Sequence, residues 1–324
     1  MMPVVEWCKA HNIVTKGHPL VWVAQAGIPK WLSKFPTEIH EELLKARVIN
    51  AVAGFAGEID IWDVVNEFTH TNTWQYKDTK GKEMSVSECA DYVEKALNWA
   101  YMANPKANLI LNNFDVIPNT DTFGSRKTPP RQRLIEIIRE LKKRKAPITG
   151  LGLQAHEPRD EWYAPETVWE TFDQLQGLGY ELHITEFTPR SSGNEITGGW
   201  RKGIWTEEAQ AEYTEQFLRL SFGHPAVVSF NFWGLSDRKV WLSGGGLVDE
   251  EYNPKPVFQR LKRMVKEEWM TRNVVAKTDD NGKIRFRGFY GKYEVTFKTQ
   301  EGRFHTFEIH LAEDEANEWR FSVK

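Results

Sequence analysis

Two short stretches end in a carboxylate at the point where a buried strand would leave its sheet. "WDVVNE", residues 62–67, runs from an indole through two β-branched residues into Asn66 and Glu67. "LHITEF", residues 182–187, presents Glu186 in the same way. One such hexapeptide has a bland explanation, because strands commonly end in solvated polar residues. A recurrence in six elements does not. The apolar runs at 13–22, 59–67, 108–114, 148–156, 182–187 and 227–235 carry polar or aromatic residues toward their C-terminal ends. In order these are Lys16, His18 and Trp22; Asn66 and Glu67; Asn112 and Asn113; Gln154 and His156; Glu186; and Trp233, with Asp237 and Trp241 just beyond. Two carboxyl groups on non-adjacent strands, ringed by amides, imidazoles and indoles, suit cleavage of a glycosidic bond. One carboxyl protonates the leaving oxygen while the other attacks the anomeric carbon or activates water. Amides bind sugar hydroxyls, and indole faces stack on pyranose rings. No phosphate-binding loop, nucleophile elbow or metal-ligand cluster competes, and His18, His156 and His183 are too dispersed in sequence to argue for zinc.

The elements that must position these groups alternate between strand and helix. "SVSECADYVEKALNWAYMANP" places Ser85 and Glu88 at capping-box spacing, with Val93, Leu97, Ala100 and Tyr101 on one face. "RLIEIIRELKKRK" presents Leu134, Ile137, Ile138 and Leu141, and "APETVWETFDQLQGLGY" opens with Pro165 in its first turn and closes at Gly177 and Gly179. Buried strands separated by helices predict a parallel sheet. "MVKEEWMTRN" reads as a last helix with a short connection. From residue 272 the period changes to two, with turns at "DDNG" and "QEG", which predicts several antiparallel strands. The expected organisation is a domain over 1–271 and a β-rich extension over 272–324.

Composition narrows the function classes. With 324 residues, 40% hydrophobic, the chain can bury one large core. A net charge of -3 argues against nucleic acid or an anionic membrane as partner, and no apolar run is long enough to span a bilayer. The 14 tryptophans divide between packing and ligand stacking. Trp62, Trp99 and Trp169 lie on apolar-patterned segments and read as core. Cys8 and Cys89 fit no metal or disulfide framework and read as inert thiols. The segment "MMPVVEWCKAHN" lacks the charged and apolar regions of a signal peptide, so compartment is not legible here.

The motifs "KGHPLVW", "WDVVNE", "LGLQAH", "LHITEF", "FWGLSD…W" and "NPKPVF", in this order, resemble the catalytic module of glycoside hydrolase family 10, the retaining endo-β-1,4-xylanases. The resemblance implies an α/β fold, a (β/α)8 TIM barrel, here incomplete with six of eight strands, and a small C-terminal all-β appendage. It implies Glu67 as acid/base, Glu186 as nucleophile and Asn66 as the group that binds the sugar 2-hydroxyl. His18, Trp22, Gln154, His156, Trp233 and Trp241 match the lining of the glycone side; Gln154 would hold the 2-hydroxyl region and His156 would orient Glu186. The substrate implied is xylan or xylo-oligosaccharide, with no cofactor and no metal, and secretion directed by a signal upstream of the present N-terminus. An endo-β-1,4-glucanase or mixed-linkage enzyme, and a non-catalytic carbohydrate-binding or inactive truncated homologue, remain as alternatives. The chain departs from the family at Val23, usually His; at Asn112-Asn113-Phe114, usually Asn-Asp-Tyr, which puts an amide where an acid is expected near Glu67; and at Thr188, usually an acid. The family's Glu-Asn-Glu-Met-Lys-type segment, which grips the distal glycone sugar, has no counterpart in the dozen or so residues before "KGHPLVW", so an N-terminally shortened barrel is expected.

Overall fold

The computed structural model describes residues 2–69, 84–121, 128–156, 160–313 and 315–322. Six parallel strands pair in chain order: β1 (Val21–Trp22), β2 (Ile61–Asn66), β3 (Asn108–Asn113), β4 (Gly150–Leu153), β5 (Glu181–Phe187) and β6 (Val227–Phe232). Helices α2 (His40–Gly54), α3 (Val86–Ala103), α4 (Pro130–Lys143), α5 (Pro165–Gln176) and α6 (Glu207–Gly223) occupy the crossovers. Helix α1 (Met2–Ala10) precedes them and α7 (Pro256–Arg263) follows. This sequential order is that of a (β/α)8 barrel, with six of its strands among the described residues.

Strands β2 to β5 are buried on both faces, which is why they read as apolar runs rather than alternations. β1 is much shorter than the run at 13–22. Pro19 has no N–H for the ladder. Pairing therefore resumes around it through Gly17 N–H to Ile61 O (2.8 Å) and Leu20 N–H to Asp63 O (3.0 Å). Gly17 lies against the Trp62 ring, where a Cβ would come within 2.1 Å of the indole.

The helices follow their sequence signals. Ser85 Oγ accepts the Glu88 N–H at 3.2 Å, and Glu88 Oε2 accepts the Ser85 N–H at 2.8 Å, completing the capping box. Val93, Leu97 and Ala100 are buried as expected, but Tyr101 is exposed because it lies one residue round the helix from Ala100. Leu134, Ile137, Ile138 and Leu141 of α4 all enter the core. Trp62 and Trp99 are buried and Trp169 is half-buried, whereas the most deeply buried indoles among the described residues, Trp162 and Trp205, belong to loops and stack on each other at 5.3 Å.

The chain divides into two compact units, Met1–Val257 and Phe258–Lys324. In the second, the helix expected over "MVKEEWMTRN" is a single π-helical turn, Met264–Glu268, continuing α7, which starts earlier at Pro256. The expected group of antiparallel strands is one hairpin, β7 (Gly291–Lys298) with β8 (Phe304–Leu311), closed at "QEG". "DDNG" does turn, with Asp279 Oδ1 accepting the N–H groups of Asn281 and Lys283, but no described strand flanks it.

Candidate active site

The sheet register sets the site. Trp22 lies opposite Asn66, and Asn66 opposite Asn112. Ladder hydrogen bonding then continues past the strand ends: Glu67 N–H to Asn112 O (2.8 Å), Gln154 N–H to Asn113 O (3.0 Å), Glu186 N–H to Gln154 O (3.1 Å) and Trp233 N–H to Phe187 O (3.0 Å). Five consecutive strand ends therefore present their polar residues side by side. Glu67 takes a left-handed conformation (φ 57°), as do Asp115 (φ 59°) and Ala155 (φ 56°) just beyond β3 and β4. Such a backbone costs about 1–2 kcal/mol for a residue with a Cβ, and here the surrounding ladder holds it.

Two polar routes, both passing through Gln154, join the carboxylates. In the first, Gln154 Nε2 donates to Glu67 Oε1 (3.1 Å) and to Asn66 Oδ1 (3.1 Å). Gln154 Oε1 accepts from His156 Nε2 (2.7 Å), which also stands 3.4 Å from Glu186 Oε2. In the second, Asn112 Nδ2 donates to both Asn66 Oδ1 (2.8 Å) and Glu186 Oε1 (2.7 Å), while Thr185 Oγ1 donates to Asn112 Oδ1 (2.6 Å). Trp22 Nε1 donates to Glu67 Oε2 at 2.8 Å, so this indole touches the acid/base candidate itself. His18 Nε2 reaches 3.8 Å from Glu186 Oε1. The rim indoles pack edge-on against the two imidazoles: Trp233 on His18 (5.2 Å) and Trp241 on His156 (5.0 Å). All nine residues expected at the site thus fall into one contiguous network.

Three further groups belong to it. Asp63 is fully buried, and its Oδ2 receives both Lys16 Nζ (2.8 Å) and His18 Nδ1 (2.8 Å). The signal was an acid inside the apolar strand "IWDVVN", since a buried carboxylate requires a cationic or hydrogen-bonding partner. Asn112 is the member of the Asn112-Asn113 pair that reaches Glu186; Asn113 Nδ2 donates instead to Thr69 Oγ1 (2.8 Å) and Phe114 O (3.1 Å). Thr188 Oγ1 donates to Glu186 O (3.0 Å) and Trp233 O (3.3 Å), tying the nucleophile candidate's strand to β6. His183, on the same strand as Glu186, bonds Ser229 Oγ (2.8 Å), and burial together with the nearby Lys16 pushes it down to about 4.

Burial pushes the Glu186 carboxyl up to about 7; the charges of Asp63 and Glu67 add to this, while His18 and the Asn112 amide oppose it. A buried carboxyl whose charge is disfavoured, beside a second carboxyl, marks this cluster as a candidate site for chemistry.

A family model described as glycosyl hydrolase family 10 matches residues 2–264. Endo-1,4-beta-xylanase 2 of Arabidopsis thaliana is 26% identical over 303 residues, covering 94% of this chain and 25% of its own length. Endo-1,4-beta-xylanase B of Thermotoga neapolitana is 29% identical over 273 residues, covering 81% of this chain and 72% of its own. Among solved structures, xylanase 10B from Thermotoga petrophila RKU-1 in complex with xylobiose superposes with a TM-score of 0.63 at 26% identity, over 82% of this chain and 77% of that one. This chain therefore spans about a quarter of the plant relative and nearly three quarters of the Thermotoga neapolitana one. With a family match over most of its length and two carboxylates joined through amides at the strand ends, the chain belongs to glycosyl hydrolase family 10.

Proposed function

We infer that this chain hydrolyses internal β-1,4-xylosidic bonds with retention, using Glu67 as acid/base and Glu186 as nucleophile. The observation that carries the reading is the network joining the two carboxylates through Gln154–His156 and Asn66–Asn112. In the first step Glu67 gives its proton to the leaving oxygen while Glu186 attacks the anomeric carbon. In the second, water attacks that carbon from the vacated side, Glu67 takes the water's proton, and Glu186 is released. The mechanism needs one proton on the pair, carried by Glu67. Placing it on Glu67 removes one of the two negative charges that raise Glu186, which favours the ionised nucleophile. Asn66 Oδ1 is occupied by two amide donors, so its Nδ2 is the atom left to meet a sugar hydroxyl. Trp233 and Trp241, both exposed, supply faces for stacking at the rim.

Glu67→Ala should slow hydrolysis of xylan far more than that of an aryl xyloside with a good leaving group, because an activated leaving group needs little protonation. Glu186→Ala should abolish both. Equal losses on the two substrates for Glu67→Ala would show that the acid is assigned wrongly. Parallel assays of reducing sugar from xylan and carboxymethyl-cellulose separate a xylanase from a glucanase. Binding of xylan without release of sugar would identify a non-catalytic carbohydrate-binding member.

A further inference from the structure

The loop after β6 carries both rim indoles, and it is fastened by a buried charge that the reaction itself does not use. Lys255 is 3% exposed. Its ammonium donates to Asp237 Oδ2 (3.0 Å), Ser191 Oγ (3.0 Å) and Gly244 O (3.2 Å), which uses all three of its hydrogens. Asp237 Oδ1 accepts the Gly246 N–H at 2.6 Å. Beside it Gln210, fully buried on α6, brings the two hydrogens of its Nε2 within reach of three carbonyls, Pro189 O (2.9 Å), Gly244 O (3.1 Å) and Gly246 O (3.1 Å).

These contacts join two segments that both lead to the site. Pro189 and Ser191 lie within five residues after Glu186, and Gly244 and Gly246 within five residues after Trp241. The glycines permit the approach. A Cβ on Gly245 would sit 2.6 Å from Thr188 Cγ2, and one on Gly244, whose φ is +77°, would sit 2.7 Å from Ser191 O. Trp241, three residues before Gly244, then packs edge-on against His156, which in turn stands 3.4 Å from Glu186. Burying an ammonium costs several kcal/mol unless it is paired and fully hydrogen-bonded. Packing alone does not require a Lys here.

We propose that Lys255, through Asp237 and Ser191, is the positioning residue that locks the Trp241 loop onto the segment following the nucleophile, and so sets where Trp241 meets the sugar on the glycone side. The inference rests on the xylan-hydrolase reading above. It differs from ordinary structural support in one consequence: Lys255 acts through Trp241, so the two must not be independent.

The test is a double-mutant cycle on the full chain, with xylohexaose as substrate, using Lys255→Met, Trp241→Ala and the pair. Asp237→Asn, which removes the counter-charge of Lys255 and leaves a single acceptor oxygen where the carboxylate has two, replaces Lys255→Met if that variant does not fold. Misplacing a contacting group by an ångström can lower the rate about a hundredfold. Lys255→Met should lower kcat/KM by about ten- to a hundredfold on that scale, with Trp241→Ala similar. The double variant should be no worse than Trp241→Ala alone. Losses that multiply in the double variant overturn the proposal, as does unchanged kcat/KM in Lys255→Met. A wild-type chain that binds xylohexaose without cleaving it defeats the hydrolase reading only, and the same cycle read in Kd still decides the role of Lys255. A chain that neither binds nor cleaves xylohexaose overturns both.

Discussion

At the scale of single residues, the candidate site holds a carboxyl where burial disfavours its charge. Glu186 is 4% exposed, and burial first of all raises its carboxyl from 4.5 to about 7. The folded state therefore binds this proton more tightly than the unfolded chain does. Stability from this group is fully present below pH 4.5, declines as the unfolded carboxyl ionises, and reaches its minimum once the pH passes about 7. Glu186→Gln keeps an acceptor for the Asn112 amide and removes the ionisation. It should leave stability nearly unchanged at pH 4 and raise it at pH 8, by at most roughly 3 kcal/mol on the scale of 1.36 kcal/mol per pH unit. Denaturant melts at the two pH values check this; a gain of equal size at both would refute the burial account. Loss of activity alongside gained stability is the expected trade at such a position.

At the scale of elements, the strand ends rather than the helices carry the candidate site, and their spacing depends on small residues inside the sheet. Gly152 on β4 lies between Asn112 and Thr185, so a Cβ there would sit 2.5 Å from Asn112 Oδ1 and 3.0 Å from Thr185 Cγ2. Gly152→Ala should displace the Asn112 side chain from Glu186. Overpacking of this kind costs about 1–3 kcal/mol, whereas the loss in kcat should be larger in proportion because Asn112 bridges Asn66 to Glu186. Comparing kcat with thermal unfolding of the same variant checks this, and a fall in stability at unchanged kcat counts against the assignment of Asn112. The left-handed residues at the ends of β2, β3 and β4 belong to the same design: each turns the chain out of the sheet just where a polar side chain must face the cleft.

At the scale of the molecule, the six-stranded sheet has two edges among the described residues. β6 differs from its neighbour accordingly. β5 is buried at six of its seven positions, whereas no residue of β6 is fully buried and Val228 is 51% exposed. Phe222, near the end of α6, adds another exposed ring at 54%. An apolar strand edge with free backbone groups is a template for pairing with other chains. Val228→Lys should lower self-association on concentration, measured by light scattering, while changing stability by no more than about 0.5 kcal/mol as exposed substitutions do. Unaltered scattering would place the sticky surface elsewhere.

Sequence alone determined which residues could do the chemistry, because the carboxylates, amides and imidazoles recur at the same place in six apolar runs. The parallel sheet, the helix faces of α3 and α4 and the capping box at Ser85 were also legible, since local periodicity and capping chemistry specify them directly. The limits lay where the outcome depends on distant groups. Pro19 shortened β1 to two residues although the apolar pattern continues through it. The period-two tail made one hairpin, because strand pairing needs a partner that alternation cannot supply. Tertiary structure also decided which of two adjacent amides reaches Glu186: Asn112 points at the carboxylate and Asn113 at Thr69, since successive residues of a strand face opposite ways. The partners of Asp63 and Lys255 were likewise decided by the fold, because a buried charge announces that it needs a counter-charge but not where in the chain that counter-charge lies.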